Sequence, residues 1–229
     1  MTVTRVSPYA NRREAGRVLA YALRTYAGTH PLVLGVPRGG VPVAHEVAQA
    51  LGGELDVVVA RKIGAPWSSE LALGAVAADG TRFVNARLLQ AMGIVDDALA
   101  AATQAAEQAA RDKAARFRGA SGAPSVAGRT VIVVDDGLAT GATMIAAARA
   151  VRAGHPARLV VAVPVGSPEG CDAVRGEADV LVCPRVPARF EAVGAHYRDF
   201  AQVEDDEVAR ILADARAARR ETPAAAGAG

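Results

Sequence analysis

Short, almost wholly apolar runs alternate with segments of helical periodicity along most of the chain. The apolar runs predict buried strands at Leu32–Val36, Leu55–Ala60, Val131–Asp135, Leu159–Val165 and Val180–Cys183. The periodic segments and their caps predict helices from Asn11 to about Ala27, Pro42–Leu51, Ala142–Ala153, Pro168–Gly176 and Glu204–Arg220. This alternation predicts an α/β fold with a parallel sheet covered by helices on both faces.

The segment after the second predicted strand departs from this alternation. Arg61–Glu70 contains Gly, Pro, Ser and the single tryptophan, Trp67, a composition typical of a mobile loop. Leu71–Ala77 and Thr81–Val84 predict a hairpin, and Ala86–Met92 and Asp96 to about Arg118 predict a helical insertion over residues 86–119. We expect residues 1–221 to form one domain, followed by a disordered Ala/Gly-rich tail at 222–229.

Composition narrows the possible function classes. The net charge is only +2, with acidic and basic residues mixed along the chain, so no broad surface for nucleic acid or anionic membranes is expected. No secretory leader pattern and no apolar run of about 18 residues is present, which predicts a cytoplasmic protein without a membrane segment. The two cysteines, Cys171 and Cys183, lack metal-ligand spacing and are predicted to be free, partly buried thiols.

The segment VIVVDDGLATGAT, residues 131–143, combines two carboxylates with a loop of small residues. It lies where ligands bind in open parallel sheets, beyond the carboxyl end of a strand. The amides and hydroxyls of the loop suit a phosphate, whereas Asp135 and Asp136 would repel one. A sugar phosphate satisfies both, because carboxylates accept hydrogen bonds from vicinal hydroxyls or hold Mg²⁺. The alternative is a plain strand-to-helix turn with a capping Asp.

This segment resembles the phosphoribosyl-pyrophosphate (PRPP) binding motif of the type I phosphoribosyltransferases. Both have an apolar strand, two acids, two variable residues and a small-Thr-Gly-x-Thr loop. Gly137 departs from the family pattern, in which a branched apolar residue is more frequent. The turn Val36–Gly40 and the segments NRREAG, SELALGAV and YRDF extend the resemblance over roughly Tyr9–Leu212, closest to a bacterial branch of predicted phosphoribosyltransferases.

The resemblance implies transfer of the 5-phosphoribosyl group from PRPP to a nitrogenous acceptor, such as a nucleobase or a related heterocycle or amine, with release of pyrophosphate. It assigns Asp135 and Asp136 to the ribose hydroxyls. The residues assigned to the 5′-phosphate are Ala139, Thr140, Gly141, Ala142 and Thr143, and those assigned to pyrophosphate are Arg38, Gly39, Gly40, Arg61 and Lys62. Asp135, Asp136, Arg38 and Lys62 are therefore the candidate catalytic residues. Mg²⁺ is expected to bind mainly through PRPP, with no protein metal ligand.

Acceptor recognition in this family lies in a variable hood, here residues 184–200. Arg185, Val186, Phe190 and Tyr197 are candidates for contacting the acceptor, or they form the core of the hood. Arg38 as a surface arginine and Lys62 as a solvated strand end are the competing interpretations for those two residues. A homodimer is possible, and no nucleic-acid or membrane partner is expected. A PRPP-sensing regulator without turnover is the alternative function.

Replacement of Asp136 by Asn tests the assignment of the acid pair. The change removes a charged acceptor and should weaken PRPP binding by about 1.5–3 kcal/mol. Calorimetric titration of both forms with PRPP measures the difference, and equal affinities would contradict the assignment.

Overall fold

A computed structural model of the chain describes residues 7–65, 68–93, 96–119 and 121–221. The helices are α1 (Arg12–Ala22), α2 (Gly40–Leu51), α3 (Ala86–Met92), α4 (Asp96–Arg118), α5 (Ala142–Ala153), α6 (Pro168–Arg175) and α7 (Asp205–Glu221). The strands are β1 (Leu32–Gly35), β2 (Glu54–Val57), β3 (Ala60–Ala65), β4 (Ser68–Ala77), β5 (Arg82–Val84), β6 (Thr130–Val134), β7 (Arg158–Ala162) and β8 (Val180–Val182). The predictions for Trp67 and the tail at 222–229 lie outside the described residues.

Five strands form the predicted parallel sheet, in the order β2-β1-β6-β7-β8. Successive side chains of each strand point to opposite faces, which divides the core into two layers. Val33, Ile132 and Val160 pack with residues of α1, α2, α4 and α7. Leu32, Val131 and Leu159 pack with residues of α5 and α6 on the other face. The prediction of an α/β fold with both faces of the sheet covered is therefore confirmed.

A second sheet of three antiparallel strands, β3-β4-β5, replaces the mobile loop predicted at Arg61–Glu70. That prediction was wrong, because Gly, Pro and Ser are typical of loops only where no neighbouring strand satisfies the backbone. In β3, the buried Ile63 follows the exposed Arg61 and Lys62. The pairing of β3 with β4 accommodates Gly64 through a shift in register.

Helix and strand ends differ modestly from the predicted ones. Asn11 is the predicted cap of α1, and its Oδ1 accepts a hydrogen bond from the Glu14 amide at 3.0 Å. The helix ends at Ala22 and continues as a 3-10 turn at Arg24–Tyr26 rather than as regular helix to Ala27. Strand β2 ends at Val57 because the chain leaves the parallel sheet there and enters β3 at Ala60. An apolar run does not reveal such a change of sheet.

The helical insertion is joined to the body of the protein. Helix α4 packs across β3, β4 and α7. At its end, Arg118 Nε lies 3.1 Å from the buried carboxylate of Asp56 on β2, and Arg216 of α7 approaches the same carboxylate at 3.5 Å. None of the helices in the described ranges is both long and apolar enough to cross a membrane.

The crossing of α1 and α2 depends on Gly16, and replacement by Ala tests this. A Cβ atom there would lie 2.8 Å from both the Glu46 Cβ and the Val43 carbonyl oxygen. Although Ala favours helix, the clash should lower stability by about 1–3 kcal/mol. Chemical denaturation measures the loss. The control is Gly176→Ala, where a Cβ meets no atom within 4 Å and stability should change by less than about 0.5 kcal/mol.

Candidate functional site

The turn after β1 and the acid pair after β6 meet because these two strands are parallel neighbours. The Val36 amide donates to the Val134 carbonyl oxygen at 2.8 Å. A Cβ on Gly39 would lie 2.6 Å from Asp136 Cγ, and one on Gly40 would lie 2.6 Å from the Val134 oxygen. The turn approaches the acid pair this closely only because both residues are glycine. The Pro37–Arg38 peptide bond is cis.

Asp135 and Asp136 are held by a small network of hydrogen bonds. The Asp136 amide donates to Asp135 Oδ1 at 2.8 Å, and Arg12 Nε donates to Asp136 Oδ2 at 2.8 Å. Tyr197 donates its hydroxyl to the Asp136 carbonyl oxygen at 2.5 Å. Burial raises the pKa of both carboxyls, and the neighbouring Asp136 charge raises that of Asp135 further. Arg12 partly offsets the rise in the pKa of Asp136.

Arg12 is a site residue that the sequence analysis missed. Its guanidinium carbon lies 3.8 Å from the centroid of the Phe200 ring, and its Nη1 donates to the Ala201 carbonyl oxygen at 2.7 Å. The side chain is only 12% exposed, so its contact with Asp136 is shielded from solvent. The NRREAG segment was a signal, but nothing in a single sequence links Arg12 to a partner 124 positions away.

Hydrogen bonds connect the loop predicted to bind phosphate to the segment between β7 and α6. The Leu138 amide donates to the Val165 carbonyl oxygen at 3.0 Å, and Ser167 Oγ donates to the Ala139 carbonyl oxygen at 2.6 Å. Gly141 has a φ of 83°, which favours glycine, and α5 begins directly after it. Ala139 and Thr140 are exposed, whereas Ala142 and Thr143 are half-buried.

The two helices that begin at the site share an unusual start. No side-chain cap is found at the start of α2 or of α5 within the described residues, whereas Asn11, Asn85 and Ser167 cap α1, α3 and α6. The amides of an uncapped first turn lack side-chain acceptors and attract anions through the helix dipole. The start of α5 therefore favours an anionic ligand. At α2 the Gly40 and Val41 amides already donate to the Val36 and Arg38 carbonyl oxygens, at 3.0 and 3.2 Å, and Pro42 has no N–H, so an anion there would have to be bound by the turn before the helix.

Gly137, the departure from the family motif, is explained by the hood. A Cβ on Gly137 would lie 2.7 Å from Val193 Cγ2, so Val193 fills the space that a side chain at position 137 would need. Val193 belongs to a short 3-10 helix, Val193–His196, that precedes Tyr197. The glycine thus lets the hood pack directly onto the loop after the acid pair.

The candidate acceptor residues have different surroundings. Tyr197 is 6% exposed, and its ring centroid lies 5.6 Å from that of Tyr9. Arg185 lies over the Tyr9 ring at 3.4 Å. Phe190 stacks on His196 with 5.2 Å between centroids, and Val186 is 49% exposed. The hood-core interpretation accounts for Tyr197, whose hydroxyl donates to the Asp136 carbonyl oxygen, while Arg185 Nη1 donates to the Ser7 carbonyl oxygen at an exposed position.

The positively charged side chains predicted to bind pyrophosphate lie in two separate places. Arg38 Nη1 lies 3.7 Å from Glu204 Oε2 and 3.8 Å from Asp205 Oδ1, so Arg38 is not an isolated surface arginine. Arg61 and Lys62 are exposed on β3 instead of on a loop. In the described part of the chain, neither forms a hydrogen bond or ion pair with Arg38 or the acid pair.

Within the described residues, neither the two cysteines nor a cluster of metal ligands adds a reactive group to the acid pair. Cys171 and Cys183 are free, as predicted. Burial raises the pKa of both thiols, that of Cys183 to about 12, which disfavours the reactive thiolate. Among the described residues, no group of three or more His, Cys, Asp or Glu side chains is arranged to hold a metal ion.

Comparison with known proteins identifies the family. The chain matches the phosphoribosyl transferase domain model over residues 9–198 and therefore belongs to that family. The Mycobacterium tuberculosis protein named "Putative phosphoribosyl transferase Rv0571c" is 42% identical over 204 residues, which are 89% of this chain and 46% of that protein. The chain thus spans about half the length of the curated relatives that it matches.

A solved structure shares the fold. TT1426 from Thermus thermophilus is 45% identical, with a TM-score of 0.77 over 90% of this chain and 98% of that one.

Replacement of Asp135 by Asn tests the electrostatics of the acid pair. Because burial raises the folded-state pKa of Asp135, folding favours its protonated form, and stability falls as pH rises from the ordinary carboxyl pKa through the folded value. Asn removes this cost, so the variant should have a higher melting temperature than wild type at pH 8. Each kcal/mol gained in the free energy of unfolding should raise the melting temperature by about 2–4 °C. The gain should shrink below about pH 4.

Melting curves of both forms at several pH values give the measurement. Asp172→Asn is the control, because its side chain is 77% exposed and should give no pH-dependent gain. A lower melting temperature for Asp135→Asn at pH 8 would contradict the argument.

Proposed function

We propose that this chain transfers the 5-phosphoribosyl group of PRPP to a nitrogenous acceptor, a nucleobase or a related heterocycle or amine, and releases pyrophosphate. The carrying observation is the contact between the Gly39-Gly40 turn and the acid pair, next to the loop before α5. This arrangement offers anions the turn before α2 on one side and the uncapped start of α5 on the other, with two carboxylates between them. PRPP has the matching order, with a phosphate at C5, hydroxyls on the ribose and pyrophosphate at C1.

The proposed reaction breaks the bond between C1 of the ribose and pyrophosphate and forms a bond from C1 to a nitrogen of the acceptor. Asp135 and Asp136 accept hydrogen bonds from the ribose hydroxyls and orient the ring. Their negative charge lies near the positive charge that develops at C1. The turn before α2 and the guanidinium of Arg38 stabilise the departing pyrophosphate.

The carboxylates of the site are compatible with a magnesium ion that is held mainly through PRPP. Two adjacent carboxylates supply the oxygen atoms that Mg²⁺ prefers, but Asp136 Oδ2 is already bound to Arg12. The oxygens of PRPP would therefore hold the ion, without a dedicated protein ligand. The ion would shield the charge of the pyrophosphate.

Acceptor binding is proposed for the hood around residues 184–200. Val193 lies against Gly137, which directly follows the acid pair, so the hood borders the residues assigned to the ribose. Val186 is exposed and Phe190 is half-buried, which leaves apolar surface for a heterocyclic ring. A planar nitrogenous acceptor suits this surface better than a highly charged one.

Calorimetric titration with PRPP, with and without Mg²⁺, tests the donor half of the proposal. A pyrophosphate-release assay over nucleobases, heterocycles and amines then tests the acceptor half. We expect Mg²⁺-dependent binding and release that requires one acceptor class. Binding without release for any acceptor would favour the PRPP-sensing alternative, and no binding in either condition would refute both.

A further inference from the structure

The insertion helix α4 brings a second cation to the Arg38 turn. Lys113 Nζ lies 3.4 Å from Asp205 Oδ1, the same oxygen that Arg38 Nη1 approaches to 3.8 Å. Lys113 and Arg38 are 75 positions apart in sequence, yet both point at one atom at the start of α7. Lys113 is also one of only two lysines in the chain, and its side chain is 22% exposed.

The contacts of Asp205 are loose enough to be exchanged. Its Oδ1 is buried and accepts no hydrogen bond within the described residues, although two cations flank it. An ion pair without a hydrogen bond stabilises less than a charge-assisted one. A ligand with several anionic oxygens could therefore replace this carboxylate as the partner of both cations.

The charges around Asp205 favour an additional anion. Three charged side chains of the cluster are at most one-third exposed. Arg38 (32% exposed) and Lys113 (22%) carry two positive charges, and Asp205 (23%) carries one negative charge. Glu204 and Asp206 are 66% and 93% exposed, so solvent screens their charges. The better shielded part of the cluster thus has an excess positive charge beside the turn assigned to pyrophosphate.

We propose that Lys113 is a further pyrophosphate-binding residue, which Asp205 holds beside Arg38 until the pyrophosphate group of the donor replaces that carboxylate. This inference rests on the proposed function and gives the helical insertion a role in it. Lys113 on α4 then takes the pyrophosphate-binding role that the sequence predicted for Lys62, which lies on β3.

A structural ion pair between α4 and α7 is the competing explanation, and Arg116 provides the matched control. Arg116 lies one turn along α4 and pairs with Asp205 Oδ2 at 3.3 Å and with Asp206 at 2.9 Å. It therefore joins the same two helices but contacts the other oxygen of Asp205. Replacing either residue by Gln removes one positive charge from the same face of α4.

The experiment is calorimetric titration of the full chain with inorganic pyrophosphate and Mg²⁺, and then with PRPP. Lys113→Gln should weaken pyrophosphate binding about tenfold, whereas Lys113→Arg should keep most of the wild-type affinity. Arg116→Gln should change it less than about threefold. Thermal unfolding of every variant is measured first, because Lys113 Nζ also lies 5.5 Å from the centroid of the Phe117 ring. Lys113→Met, an unbranched uncharged residue of similar length, replaces Lys113→Gln if the latter does not fold.

Each remaining outcome has a distinct meaning. Wild-type affinity in a folded Lys113→Gln variant would overturn the inference and leave the proposed function intact. Equal weakening by Lys113→Gln and Arg116→Gln would overturn it too, because it would indicate a general effect of charge or helix packing. If the wild-type chain bound neither pyrophosphate nor PRPP, the proposed function itself would fail, and this inference with it.

Discussion

The close packing of the Gly39-Gly40 turn against the acid pair is the constraint on which the site depends. It follows from the parallel pairing of β1 with β6, which ends both strands at the same edge of the sheet. Any side chain at Gly39 or Gly40 would overlap the carboxylates or the backbone of β6. The absence of two Cβ atoms therefore brings the turn assigned to pyrophosphate into contact with the two acids.

This packing has an electrostatic cost that the site itself does not remove. Two adjacent carboxylates are partly buried, and their pKa values rise as a result. Arg12 offsets the cost at Asp136, while the uncapped starts of α2 and α5 leave amides without side-chain acceptors. Carboxyl groups with raised pKa values beside a helix start without a side-chain cap are typical of a binding site, because a ligand that pairs with both stabilises both.

A few specific contacts connect the hood and the insertion to this centre. Tyr197 joins the hood to the backbone of Asp136, and Val193 occupies the space above Gly137. On the other side, Asp205 of α7 connects Arg38 to Lys113 of the insertion. The hood thus contacts residues assigned to the donor directly, whereas the insertion reaches Arg38 through Asp205.

Much of the fold was predictable from local patterns. Apolar runs and caps located all five strands of the parallel sheet and its covering helices, since burial on both faces leaves a continuous apolar signal. Strand ends and the β3-β4 pairing were not predictable, because they depend on which neighbour satisfies the backbone. The Gly and Pro of Arg61–Glu70 indicated a loop, and only pairing with β4 made part of it a strand.

The sequence by itself determined the α/β class and the resemblance of residues 131–143 to a PRPP-binding motif, because both depend on residues that are adjacent in the chain. Only the tertiary structure decided that Arg12 binds Asp136, that Val193 fills the space at Gly137 and that Lys113 lies beside Arg38. These contacts join residues 56 to 124 positions apart. Their formation depends on how the helices and the hood pack around the sheet, which no local pattern encodes.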